Sequence, residues 1–183
     1  LQAVLTARRH ANMQQRPFSF VLFFSCSITL AGCQPQPVRN QQTLFIQHAV
    51  SLPDNGSVTD RIRNECSIAT RLSEDIEYYA RKNSFQVERT ELAPPRSGAK
   101  LLIVKITDLR AAGGGHWTRG RYMNIEGSLW NQGTQIGSFV AKRESWSGND
   151  ACMSLARVSR ALAEDVGRWL LSPTLNARLG DSK

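Results

Sequence analysis

The sequence is short of the residues from which metal sites and covalent catalysis are built. Its 183 residues hold four cysteines and three histidines. No CxxC or HxxxH spacing occurs, so no metal ligand set and no cofactor are expected. There is no GxSxG to place a nucleophile on a strand-to-helix elbow. Although 23 lysines and arginines outnumber 15 acids, no five basic residues run together, which argues against a nucleic-acid footprint. No apolar run reaches the roughly 20 residues that a membrane-spanning helix needs. With 41% hydrophobic residues and seven prolines, the composition suits one globular domain with a modest core.

What is present starts near the N-terminal side. From Phe18 to Ala31 the chain reads FSFVLFFSCSITLA, an uncharged stretch that follows Arg16 and ends in small residues. A basic residue, a short apolar run and small residues, in that order, make a secretory signal. The next step is more specific: Leu30-Ala31-Gly32-Cys33 resembles the lipobox of bacterial lipoproteins. That resemblance implies that the Cys33 thiol forms a thioether to diacylglycerol and that Cys33 becomes the mature N-terminus. Several acyl chains, at about 0.8 kcal/mol per buried CH₂, would then hold the chain at a membrane. Gln34 stands where an aspartate would signal inner-membrane retention. By resemblance to enterobacterial lipoproteins this points to the outer membrane, facing the periplasm, with the inner membrane as the alternative.

The expected organisation follows. Met13 is the expected translation start, with 1–12 an upstream extension, 13–32 the signal peptide and 33–43 a lipidated polar tether. Residues 44–171 form one α+β domain and 172–183 a frayed tail. Residues 1–32 contain three of the basic residues and no acid, which leaves 20 against 15, a charge of +5. With Cys26 in the signal and Cys33 lipidated, Cys66 and Cys152 remain, and an exported domain pairs such leftovers as a disulfide.

Along the domain, TLFIQHAV (43–50) reads as a strand and residues 59–82 as one amphipathic helix. In that helix Ile62, Cys66, Ala69, Leu72, Ile76 and Ala80 recur at three- and four-residue steps. FQVERTEL gives a second strand. KLLIVKITDL (100–109), apolar on both faces over Leu101 to Val104, gives a central third. RYMNIEGSLW and TQIGSFVAKRES alternate, and Asn131-Gln132-Gly133 between them signals a tight hairpin. A last helix, 150–171, carries the stripe Leu155, Val158, Leu162, Val166, Trp169. The order β-α-β-β-β-β-α predicts an antiparallel-rich five-stranded sheet with two helices on one face. The segments LSEDI (72–76) and LAEDV (162–166) are ordinary amphipathic composition, neither a repeat nor a paired-carboxylate site.

The domain resembles uncharacterised proteobacterial envelope lipoproteins in three features. These are the glycine–tryptophan loop Gly113–Trp117, the strand Gly137–Arg143 and the cysteine opening the final helix, Cys152. The resemblance spans most of 44–171 and implies no activity.

The loop AAGGGHWTRGR (111–121) is the one stretch built like a ligand contact. Gly115-x₄-Gly120-Arg121-Tyr122 mimics a phosphate loop, but arginine replaces lysine and a strand follows where a helix is required. Two readings remain. In the first, Trp117, Arg119 and Arg121, with His116, form a binding edge for an envelope partner, tryptophan and arginine being the types that concentrate interface energy. The alternative makes Trp117 a core plug pinning a flexible connection. In the second, a periplasmic hydrolase of a cell-wall component uses His116 as base, oriented by Asp108. Oligomeric state is not legible.

Overall fold

A computed structural model describes residues 42–53, 58–91, 99–111, 120–146 and 150–182. Nine elements follow in order: β1 (Thr43–Gln47), α1 (Asp60–Glu65), α2 (Ile68–Lys82), β2 (Gln86–Thr90), β3 (Lys100–Arg110), β4 (Arg121–Asn131), β5 (Thr134–Ser145), α3 (Ala151–Leu170) and β6 (Ala177–Gly180). The class is α+β, and among the described residues the sheet has six strands in the order β2-β1-β3-β4-β5-β6.

That sheet is mixed, which corrects the five-stranded, antiparallel-rich expectation. β3, β4 and β5 form an antiparallel meander, while β1 pairs parallel with both β2 and β3, and β5 pairs parallel with β6. Each parallel pair flanking a helix needs a crossover, and α1–α2 and α3 are those crossovers. Gln132 (φ 50°) and Gly133 (φ 79°) both sit at positive φ, the backbone that a two-residue hairpin turn requires.

Among the described residues, three helices replace the expected two. The segment read as one helix over 59–82 breaks at Cys66, and Ser67 adopts left-handed backbone (φ 46°). Thr59 caps α1, its side chain accepting from the Ile62 N–H. Beyond the break the buried stripe restarts at Ile68 and continues through Leu72, Ile76 and Ala80 at steps of four. Periodicity hides this because Ile68 takes the place expected of Ala69. α3 runs unbroken from its cap, Asp150, whose side chain accepts from the Cys152 N–H.

The expected frayed tail is ordered as β6. Ser138 N–H donates to the Thr174 carbonyl (3.0 Å) and Asn176 N–H to Ser138 Oγ (2.8 Å), which steers the chain onto the β5 edge. Arg143 then holds Asp181 at 3.1 Å. A four-residue strand of mixed polarity has no periodicity of its own, so only these contacts define it.

The core lies between one face of the sheet and the helices. Leu102, Val104 and Ile106 of β3, Met123, Ile125 and Leu129 of β4, and Phe139 and Ala141 of β5 are buried there with Leu72, Ile76, Leu155, Leu162 and Val166. α2 and α3 cross closely: a Cβ on Gly167 would stand 2.8 Å from Tyr79 Cβ, and Asn83 Nδ2 donates to the Gly167 carbonyl at 2.7 Å. Because strand side chains alternate, the intervening residues project from the opposite face. No described helix packs on that face.

Candidate functional site

The helix-free face carries its densest chemistry at the end of β3, β4 and β5 where residues 112–119 join Ala111 to Gly120. A bulge between Ile106 and Asp108 resets the alternation of β3, so Asp108 pairs with Asn124 and Arg110 with Tyr122. On the other side of β4, Tyr122 pairs with Glu144 and Asn124 with Lys142. Three strands thus bring five polar or charged side chains around one aromatic ring.

Tyr122 is the centre. Its hydroxyl donates to Asp108 Oδ2 at 2.7 Å. The Arg110 guanidinium lies 5.7 Å from the ring centroid and the Lys142 ammonium 5.1 Å, both within cation–π range. The Asp108 hydrogen bond pushes the phenol above its ordinary pKa range. Burial and the charges of Asp108 and Glu144 act the same way, while Arg110 opposes. Tyr122 therefore stays a neutral donor at physiological pH. Glu144 lies across Gly120, where a Cβ would meet Glu144 Oε1 at 2.8 Å. Trp146 stands at the rim, 78% exposed. Together these residues bound an open groove of about 480 Å³.

Charge pairing marks this end as different from the rest of the face. Lys105 and Glu126, farther along β3 and β4, pair at 3.0 Å. Arg110 and Lys142 form no ion pair among the described residues. Asn124 Oδ1 is buried at the floor of the groove and accepts no hydrogen bond from a described residue.

The residues expected from sequence are distributed as follows. His116, Trp117, Arg119 and Cys33 lie outside the described residues. Arg121 projects to the helix-covered side of β4, and its Nη1 donates to Ser154 Oγ at 2.9 Å, at the first turn of α3. Asp108, the orienter in the hydrolase reading, accepts from Tyr122. Cys66 and Cys152 form a disulfide with Cα atoms 5.0 Å apart, joining the end of α1 to the start of α3. Among the described residues there is no group of three or more metal-ligating side chains and no helix long and apolar enough to cross a membrane.

Tyr122, Arg110, Lys142 and Trp146 were not singled out by sequence reading. The signal that could have found them is the alternation of β4 and β5, which places Tyr122, Asn124, Lys142 and Glu144 on the polar face once the hairpin turn is located.

No protein-family model matches the chain, and no curated protein is similar to it in sequence. Its fold is similar to PelC from Paraburkholderia phytofirmans, a dodecamer in the crystal, with 14% identity over 72% of this chain and 90% of that one and a TM-score of 0.50. Weaker likenesses are to a minor lipoprotein from Acinetobacter baumannii (16% identity, 70% and 91% of the two chains, TM-score 0.42) and to a DUF330 protein from Xanthomonas campestris (9%, 72% and 84%, TM-score 0.46). At these identities the likeness is one of fold.

Proposed function

We propose that this chain is an envelope lipoprotein, anchored through Cys33 in the outer membrane, whose periplasmic domain has a non-enzymatic binding or assembly role. The observation that carries the binding role is the cluster around Tyr122. It offers an aromatic ring, two cations without carboxylate partners among the described residues and an exposed tryptophan on a sheet face that no described helix covers. Tyrosine, tryptophan and arginine are the residue types that concentrate binding energy. Asp108, the orienter of His116 in the hydrolase reading, accepts from the Tyr122 hydroxyl through Oδ2.

Two further features support the compartment. The order Arg16, apolar run, Leu30-Ala31-Gly32-Cys33 is that of a lipoprotein signal. The Cys66–Cys152 bridge suits an oxidising compartment. PelC, which shares the fold, is a dodecamer, and an assembly role is consistent with that use of the scaffold.

Two experiments test the reading. Labelled palmitate should enter the wild-type chain and not Cys33→Ser, and equal labelling of both would remove the anchor from it. A photoreactive residue replacing Trp146 should give a discrete adduct in intact cells, whereas one replacing Tyr78, exposed on α2, should not. Identical patterns from the two positions would count against the face.

A further inference from the structure

We infer that the groove around Tyr122 binds an acidic saccharide, a sugar unit carrying a carboxylate beside free hydroxyls. The inference rests on the binding role proposed above and names its ligand class.

The inventory of the groove leads to that chemistry. Arg110 and Lys142 approach the Tyr122 ring from neighbouring strands, 5.7 and 5.1 Å from its centroid, and neither has a carboxylate partner among the described residues. Both cations line the one groove, and an anionic group seated there can meet either with a charge-assisted hydrogen bond. Asp108 keeps its charge while its Oδ2 accepts from the Tyr122 hydroxyl, but among the described residues it makes no ion pair with either cation, and it does not line the groove.

Glu144 lines the same groove, and its carboxylate is an acceptor that an anion without hydroxyl donors, such as acetate, leaves unmet. A ligand that satisfies both sets must present a negative group to the cations and hydroxyl donors to Glu144. A uronic-acid unit does both. Trp146, 78% exposed at the rim, offers a flat apolar face of the kind on which the C–H side of a pyranose ring can lie. The groove, about 480 Å³ and open along one side, has room for a sugar ring with its neighbours continuing into solvent.

The test uses the full chain, produced in a Gram-negative host and purified in detergent, with binding followed by calorimetry. The probes are tri-galacturonate and a hyaluronan tetrasaccharide, with maltotriose as the uncharged control and a short acidic peptide as the hydroxyl-free one. Saturable binding is expected for at least one acidic saccharide and for neither control. Arg110→Ala with Lys142→Ala should weaken it by about tenfold or more. Arg110→Lys, which keeps the charge, should retain most of it, and unchanged circular dichroism shows that the exposed-face variants fold. Binding of maltotriose or the peptide as tight as that of the acidic saccharides would overturn the inference. So would wild-type affinity in the double variant, or silence with both acidic probes. If the saccharides fail while a photoreactive residue at Trp146 still gives its adduct, only the ligand class falls; loss of that adduct removes the binding role itself.

Discussion

The ring of Phe139 lies over Gly127, its partner across β4 and β5. A Cβ at Gly127 would collide with Phe139 Cζ, closer than any real contact. Phe139 in turn meets Trp169 of α3 edge-on, with centroids 4.8 Å apart, and Trp169 covers Gly137, where a Cβ would stand 2.7 Å from Cζ2. Two glycines therefore make the sockets into which two aromatic rings fit beneath α3. Gly127→Ala should destabilise the domain by about 1–3 kcal/mol, the usual effect of overpacking a filled core. In thermal melts Phe139→Leu should lose less stability in the Gly127→Ala background than in the wild type. Additive losses would show that the two positions are not coupled.

The disulfide is expected to stabilise by restricting the unfolded chain. Cys66 and Cys152 are 86 residues apart, and the chain-entropy model assigns a loop of that order about 4–5 kcal/mol, with about 2–4 kcal/mol typical of measurement. Cys66→Ser paired with Cys152→Ser should lower the melting temperature to that of the reduced wild type. Denatured protein from the periplasm should show neither thiol alkylated until reductant is added. Equal melting with and without reductant would deny the bridge its structural role.

Asp165, 7% exposed, accepts from Arg143 Nε at 2.8 Å and Nη2 at 3.0 Å, and the same arginine reaches Asp181 beyond β6. Removing Arg143 weakens the pairing of a buried carboxylate and unlatches the C-terminal strand, at about 3 kcal/mol or more. Arg168, 64% exposed, also contacts Asp165. Exposed pairs contribute little, so Arg168→Ala should stay within about 1 kcal/mol of wild type. Denaturant titration of the two variants checks the ranking. Arg143→Lys should not restore stability, because lysine cannot make the forked contact.

Acid sensitivity should appear at Glu77. Burial tends to raise its pKa, but the hydrogen bonds from Arg89 and Arg81, with their charges, prevail and hold it below the usual glutamate range. A carboxylate with a depressed folded-state pKa stabilises above its unfolded pKa, and that contribution fades as pH falls through the folded value. The advantage of wild type over Glu77→Gln, about 1 kcal/mol at this partly exposed site, should therefore be full at neutral pH and shrink below about pH 4.3. Melting temperatures from pH 7 to pH 3 measure it; a gap that widens with acid would contradict the assignment.

Tyr122→Phe should cost about 1 kcal/mol, since it removes a hydrogen bond to a carboxylate in an open groove. The raised phenol pKa gives the opposite pH sign from Glu77. Its contribution is whole below about pH 10 and is lost only as alkali titrates the folded tyrosine. Wild type and Tyr122→Phe compared at pH 9 should thus differ in melting temperature as they do at pH 7.

Elements governed by local periodicity were legible in the sequence. The stripe Leu155, Val158, Leu162, Val166, Trp169 is buried along α3, the alternation of 121–131 and 134–145 makes a hairpin, and Gln132-Gly133 turns it. Each depends on residues within a few positions of one another, where chain geometry alone sets which side chains share a face. The break at Cys66–Ser67, the parallel strand β6 and the direction of Arg121 depend on partners tens of residues away: Cys152, Ser138 and Arg143, and Ser154. The groove is the fullest case. Asp108, Arg110, Tyr122, Lys142 and Trp146 come from one end of the β3–β5 meander and share no spacing. They meet because a bulge shifts β3 by one residue and antiparallel register brings the strands side by side, which no single segment encodes.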